Sequence, residues 1–301
     1  MTQSLTQTAR PPRASTARGA PTSWAWLGVA PFIVFAVLFL ILPTMHLVVG
    51  AFQDAEGGFT FANVAQLFSD RQIVASFLVT IEVSMISAIG GAVIGFLLAY
   101  AGVMGGLPGW VRPVLMTFSG VAPNFAGLPL AFAFLATLGR TGLVTALLFN
   151  VFGFKLYDTG FNITSFWGLA LAYLYFQIPL MVLILVPALD GLKREWREAS
   201  DILGGGAWQF WRYVAIPILW PSLAGTTLLL FANAFGAVAT AYGLTGSGIN
   251  LVTIMLFAQI RGDVLHNQNL GYAISLGMVV ITVLSNLIYI VLRARTRRGM
   301  Q

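Results

Sequence analysis

Six long uncharged stretches, parted by short polar segments, organise the chain. They run over about 24–49, 73–101, 114–138, 164–189, 216–240 and 270–292, and one acid, Glu82, interrupts the second. A helix rising 1.5 Å per residue needs roughly 20 apolar residues to cross a hydrocarbon core about 30 Å thick. Each stretch meets that length. Period-two alternation is missing, and backbone in hydrocarbon must bond within its own segment, so the stretches predict helices and not barrel strands. The expected fold is an all-α membrane bundle of about six transmembrane helices. Its layout is a disordered tail (1–23), a first transmembrane helix (24–49), a membrane core (73–293) carrying a long loop (190–217), and a basic tail (294–301). The stretch 142–154 is apolar but too short to span; it reads as an interfacial or re-entrant helix.

Composition agrees with the pattern. Of 301 residues, 58% are hydrophobic and 9% charged. An ordinary soluble domain carries about 25% charged residues, because its outer face must be wetted. Cysteine is absent, which removes disulfides, thiolate chemistry and Cys-based metal sites. The apolar run from Trp24 is too long for a signal-peptide core and no small-residue cleavage site follows, so a retained first span is expected.

Charge sets the expected orientation. With the N-terminus inside, the inner segments hold Arg10, Arg13, Arg18, Arg112, Lys193, Arg194, Arg197, Arg212, Arg293, Arg295, Arg297 and Arg298. The outer segments hold Arg71, Arg140, Lys155 and Arg261. An excess of Lys and Arg marks the cytoplasmic side, which places both termini in the cytoplasm and favours an even number of spans. A bacterial inner membrane is the expected location.

The inner loop 190–217 is far longer than a simple helix connection of two to eight residues. It holds Asp190, Glu195, Glu198 and Asp201, four of the ten acids in the chain. Residues 192–203 favour helix, Gly204, Gly205 and Gly206 stop it, and a second short helix over 208–214 leads to Pro217. The result is a helix–turn–helix on the membrane face. Its mixed charge and its aromatics Trp208, Phe210 and Trp211 suit docking to a protein.

Within this loop Glu198-Ala199-Ser200, then Gly204, then Val214-x-Ile216-Pro217 resemble the EAA loop of binding-protein-dependent ABC importer permeases. That pattern is Glu-Ala-Ala, three residues, Gly, nine residues, Ile-x-Leu-Pro, and the spacing matches throughout. Ser200, Val214 and Ile216 are conservative departures. Phe176-Gln177-Ile178-Pro179 also looks like the family. The resemblance implies the type I permease fold and a transport subunit that is not an enzyme. Two permease subunits would enclose one pore, the second expected to be a different chain. Two ATPase subunits would bind ATP and Mg, the permease itself holding no cofactor. An extracytoplasmic solute-binding protein would deliver the solute. The residues carried over as ATPase-coupling are Glu198, Ala199, Ser200, Gly204, Trp208, Ile216 and Pro217.

Other residues mark a candidate solute path. Pro123 and Pro129 each remove a helix donor, Gly127 loosens the backbone between them, and Asn124 adds a polar group. Broken helices often line the path in transporters; the plain alternative is a packing kink. Glu82 reads either as a path residue or as a residue at headgroup depth. Gly91 and Gly95 form a small-xxx-small pattern suited to internal helix packing. His46 and His266 have no ligand-spaced partner, so no metal site is expected. Arg261, Asp263 and Asn267 form an outer loop.

No Gly-x-x-x-x-Gly-Lys-Ser/Thr loop occurs, since neither of the two lysines, Lys155 and Lys193, ends one. Energy must then come from another chain. No nucleophile–base pairing appears. The rival readings are a secondary, ion-driven transporter and a membrane-embedded enzyme or scaffold subunit. The chain's style is nearest to the polyamine, phosphonate and ferric-iron subgroup, which points to a small polar or charged solute. Nucleic-acid binding is not expected, despite the net charge of +6.

Overall fold

The computed structural model describes residues 25–261 and 267–298. The expected tail 1–23, Asp263, His266 and the last three residues lie outside them. The chain divides into two units, 1–46 and 47–301. The first contains α1 (Ala25–Ala36) and a π turn (Val37–Ile41), and α2 (Leu42–Ala51) spans the division.

The second unit is helical. It runs through α3 (Ala62–Ser69), α4 (Arg71–Met104), α5 (Val111–Val121), α6 (Leu128–Leu138), α7 (Leu143–Phe152), α8 (Phe166–Asp190) and α9 (Arg194–Ile202). It continues through α10 (Ala207–Phe210), α11 (Ile216–Phe235), α12 (Val238–Thr245), α13 (Val252–Arg261) and α14 (Gln268–Arg298). No named strand occurs among the described residues. Six stretches are long and apolar enough to cross a membrane: Gly28–Ala51, Arg71–Met104, Leu128–Phe152, Phe166–Asp190, Ala207–Phe235 and Gln268–Val291.

The third stretch differs from the span expected over 114–138. The backbone is extended at Gly139 (ψ 170°) and Gly142 (ψ 156°), so α6 and α7 are separate helices and not one rod. Upstream, α5 ends at Val121 and a 3₁₀ turn (Ala122–Asn124) precedes α6. The third crossing is therefore broken in its middle, where Pro123 and Pro129 deny the helix two donors.

The centre of the unit is the α4–α8 pair. Small residues let the two backbones approach: a methyl added at Gly91 would meet Gln177 Cβ at 2.8 Å, and one at Gly95 would meet Met181 Cβ at 2.6 Å. The small-xxx-small pattern thus serves packing inside the chain. One core cluster joins Ala88 and Ala99 of α4 to Val182 and Leu185 of α8, Leu230 of α11 and Ile274 of α14. A second joins Val83 to Leu130, Tyr173, Phe176, Ala241 and Leu244. A polar stripe of Ser76, Thr80, Ser84 and Ser87 is buried along one face of α4. It is bonded where α8 and α13 meet it. Gln177 Nε2 donates to Ser87 Oγ (2.8 Å), and the Val252 amide donates to Thr80 Oγ1 (2.9 Å). In hydrocarbon such bonds hold helices together by satisfying groups that water cannot reach.

Candidate functional site

The loop after α8 begins at an ion pair, Arg112 Nη2 to Asp190 Oδ2 at 2.5 Å, which ties the start of α5 to the end of α8. Helix α9 then carries Glu198, Ala199 and Ser200. Glu198 is exposed and pairs with Arg194 one turn back at 3.7 Å, while Arg197 pairs with Asp201 at 3.1 Å. These exposed i,i+4 pairs steady the helix by only about 0.3–0.5 kcal/mol each.

What ends α9 is more informative. The Gly205 amide donates to the Ser200 carbonyl (2.8 Å), and the Gly204 amide donates to the Asp201 carbonyl (3.0 Å). Gly204 has φ +78°. This is a Schellman cap, with Gly204 at the left-handed position and Ser200 supplying the outer acceptor. The spacing Ser200-x-x-x-Gly204 is the spacing that the cap requires. Gly206 then donates from its amide to Gln209 Oε1 (2.8 Å), opening α10.

The second arm differs from the expected separate helix over 208–214. Helix α10, a π turn (Trp211–Ala215) and α11 form one continuous helical run, Ala207–Phe235. The Ile216 amide bonds back to the Trp211 carbonyl, five residues away. Ile216 and Pro217 therefore lie at the start of α11, beyond the π turn. The aromatics also divide. Phe210 is buried, with the Arg197 guanidinium 5.2 Å from its ring centre. Trp211 is half-buried edge-on to Tyr100 (5.1 Å) and Phe96 (6.2 Å) of α4. Trp208 is 72% exposed, and Ile202 and Leu203 at the tip of α9 are 86% and 87% exposed. The arms enclose a hollow of about 540 Å³ lined by Trp196, Ser200, Leu203, Gln209, Tyr213 and Ile218 among others.

At the middle of the bundle two helix breaks meet. Gly127 has φ +76° and ψ −146°, a conformation open to glycine and strained for other residues. Its amide donates to Thr240 Oγ1 at 2.9 Å. Thr240 belongs to α12, which begins after a break at Gly236–Ala237, and Tyr173 Oη of α8 donates to the Ala237 carbonyl at 3.0 Å. Gly243 leaves room for Leu128 and Ala131 to close against α12. Sequence reasoning ran the fifth span straight to Thr240; the pair Gly236-Ala237 was the available signal for its break.

Asn124 donates from Nδ2 to the Gly120 carbonyl (2.9 Å) and is exposed, as is Pro129, while Pro123 and Gly127 are half-buried. The break thus gathers Pro123, Asn124, Gly127 and Pro129 beside α8 and α12. Glu82 stands apart from them. It is exposed on α4 about 16 Å from the helix start at Arg71, and its side chain makes no hydrogen bond or ion pair among the described residues. No group of three or more His, Asp or Glu side chains is placed to hold a metal among the described residues.

The family model described as binding-protein-dependent transport system inner membrane component matches residues 91–298, which takes in both the loop and the breaks. The chain belongs to this family. Among relatives of this inner membrane component, the sulfate transport system permease protein CysT of Escherichia coli (strain K12) is 29% identical over 242 residues, covering 78% of this chain and 81% of the relative. The putative 2-aminoethylphosphonate transport system permease protein PhnU of Salmonella typhimurium (strain LT2) is 28% identical over 239 residues, covering 78% and 80%. A chain of a bacterial ABC transporter involved in the import of the acidic polysaccharide alginate superposes with TM-score 0.68 at 16% identity, over 92% of this chain and 96% of that one, a likeness of fold. The protein is a multi-pass ABC importer permease subunit, a transport component and not an enzyme. The family works with ATPase and solute-binding partners.

Proposed function

We propose that this subunit forms half of a translocation pore and takes its drive from a separate ATPase docked on the loop 190–217. The observation that carries the reading is the continuous helical run Ala207–Phe235. One end of this run is the exposed arm bearing Trp208. The other ends at Gly236–Ala237, on which the Gly127 break closes through Thr240. A push on the loop is thereby delivered to the break without a flexible joint. Glu198, Ala199, Ser200, Gly204, Trp208, Ile216 and Pro217 form the coupling surface; Pro123, Asn124, Gly127, Pro129 and Glu82 belong to the solute path. ATP and Mg are held by the ATPase. A second permease chain completes the pore, an external binding protein delivers solute, and both termini are cytoplasmic in the inner membrane.

The two relatives named above support one class of solute. Their descriptions give sulfate and 2-aminoethylphosphonate, so the proposed cargo is a small tetrahedral oxyanion and not a polyamine. The test is uptake into vesicles holding the assembled permease, ATPase and binding protein. Sulfate or 2-aminoethylphosphonate should accumulate only with internal ATP. Accumulation of spermidine instead would overturn the cargo, and accumulation driven by an ion gradient without ATP would overturn the mechanism.

A further inference from the structure

Between α6 and α8 the chain builds a second cationic feature, away from the coupling loop. A cleft of about 430 Å³ is lined by Arg140, Thr145, Phe149, Lys155, Tyr157 and Asp158 among others. Arg140 comes from the turn between Gly139 and Gly142, and its guanidinium lies 5.4 Å from the centre of the Tyr157 ring. Tyr157 is itself fixed, because its hydroxyl donates to the Leu138 carbonyl at 2.9 Å. Lys155 follows Gly153, whose φ of +65° ends α7 and turns the chain back. Lys155 Nζ sits 3.9 Å from Asp158 Oδ2, with both side chains mostly exposed, so the pair is loose and the cleft keeps one net positive charge. The Thr145 hydroxyl oxygen is buried and has no hydrogen-bond partner. A buried hydroxyl left unmatched is costly unless a ligand or water completes it.

The wall of the cleft says which ligand. Helix α7 has no buried residue, and Leu143, Val151 and Phe152 are 70%, 64% and 72% exposed. At ten residues it is about 15 Å long, half of what a crossing needs. An apolar helix that cannot span, beside two cations and a free hydroxyl, matches a phospholipid in both its parts: acyl chains along α7, phosphate in the cleft. We propose that Arg140, Lys155 and Thr145 form a binding site for the phosphate of an anionic phospholipid, seated against α7. The site needs only that the chain spans a membrane, and holds whichever leaflet it faces.

The test reconstitutes the full-length chain into vesicles of phosphatidylethanolamine and phosphatidylglycerol in equal amounts. After mild extraction, the lipid retained per protein is counted by mass spectrometry. Phosphatidylglycerol should be enriched over phosphatidylethanolamine. Arg140→Gln and Lys155→Gln should each lower that enrichment about fivefold, Lys155→Arg should preserve it, and Thr145→Val should lower it. Asp158→Asn should raise it by removing the competing charge, a gain that misfolding cannot produce. Enrichment unchanged in Arg140→Gln/Lys155→Gln, and no gain in Asp158→Asn, would overturn the site. So would displacement of the lipid by millimolar inorganic phosphate or sulfate, which would make the ligand a free anion. In vesicles that also hold the ATPase and the binding protein, a loss of binding-protein-stimulated ATP hydrolysis in Arg140→Gln/Lys155→Gln with lipid retention unchanged would make the cleft a protein dock, and would equally overturn it.

Discussion

At the scale of single residues, Gly204 separates a conformational demand from a contact demand. A methyl built at Gly204 would meet nothing within 4 Å, yet its φ is +78°. Any cost of replacing it is therefore backbone strain, about 1–3 kcal/mol for a residue forced into the left-handed region. Asn enters that region more readily than Ala, and a β-branched side chain does so worst. The expected order of ATP-driven uptake is wild type, Gly204→Asn, Gly204→Ala, Gly204→Val, with membrane insertion unchanged throughout. Uptake that is normal in Gly204→Val would show that the cap has no part in coupling. Gly127 poses a different demand. At φ +76° and ψ −146° it lies outside the region that Asn tolerates, so Gly127→Asn should fail as badly as Gly127→Ala in the same assay.

At the scale of elements, both π turns end one residue before an X-Pro step. Val37–Ile41 is followed by Leu42-Pro43, and Trp211–Ala215 by Ile216-Pro217. A proline ring clashes with the carbonyl four residues earlier, and a widened turn relieves that clash. This is the part of the loop that sequence periodicity hid. The motif, its glycine stop and its proline were legible, because cap and proline chemistry are local. The continuity of the second arm with α11 was not, because a π turn keeps the apolar pattern while slipping the register by one residue. The inward turn of Phe210 and Trp211 was hidden for a related reason: their partners Arg197, Phe96 and Tyr100 lie on other elements. Likewise Pro123, Gly127 and Pro129 announced the first break, but its closure on Thr240 depends on a residue 113 positions away. Two tryptophans test the division of labour. Trp211→Ala should cost about 2 kcal/mol of stability, as thermal unfolding in detergent would show, since its ring is packed. Trp208→Ala should change stability by less than about 0.5 kcal/mol. It should instead weaken ATPase capture about 30-fold in a titrated pull-down, the loss expected of an interface anchor.

At the scale of the whole membrane unit, contacts sort the loops into two ends without reference to charge. The Arg112–Asp190 pair and the packing of Trp211 on Tyr100 gather the end of α4, the start of α5, the end of α8 and the loop 191–206. At the opposite end of α4, Asn250 Nδ2 donates to the Gln72 carbonyl, and Asn269 Nδ2 donates to the Asp54 carbonyl, gathering the starts of α4, α13 and α14. The first end carries Arg112, Lys193, Arg194, Arg197 and Arg212; at the second, Arg71 opens α4 and Arg261 ends α13 beside the start of α14. A lysine- and arginine-rich end belongs in the cytoplasm. The two ends should therefore report from opposite sides of the membrane, and a reporter active only outside decides which is which. Alkaline phosphatase fused after Gly58 should be active, and fusions after Gly106 and Gly205 should be inactive. The pair Gly106 and Gly205 is the sharper part of the test. Both belong to the end held by Arg112 and Asp190, so they must agree with each other. If they report from opposite sides, the packing of α4 against α8 is wrong. If they agree but both are external, the packing stands and the orientation is reversed. The loop 190–217 then cannot meet a cytoplasmic ATPase, and the coupling role assigned to Glu198 and Gly204 falls with it.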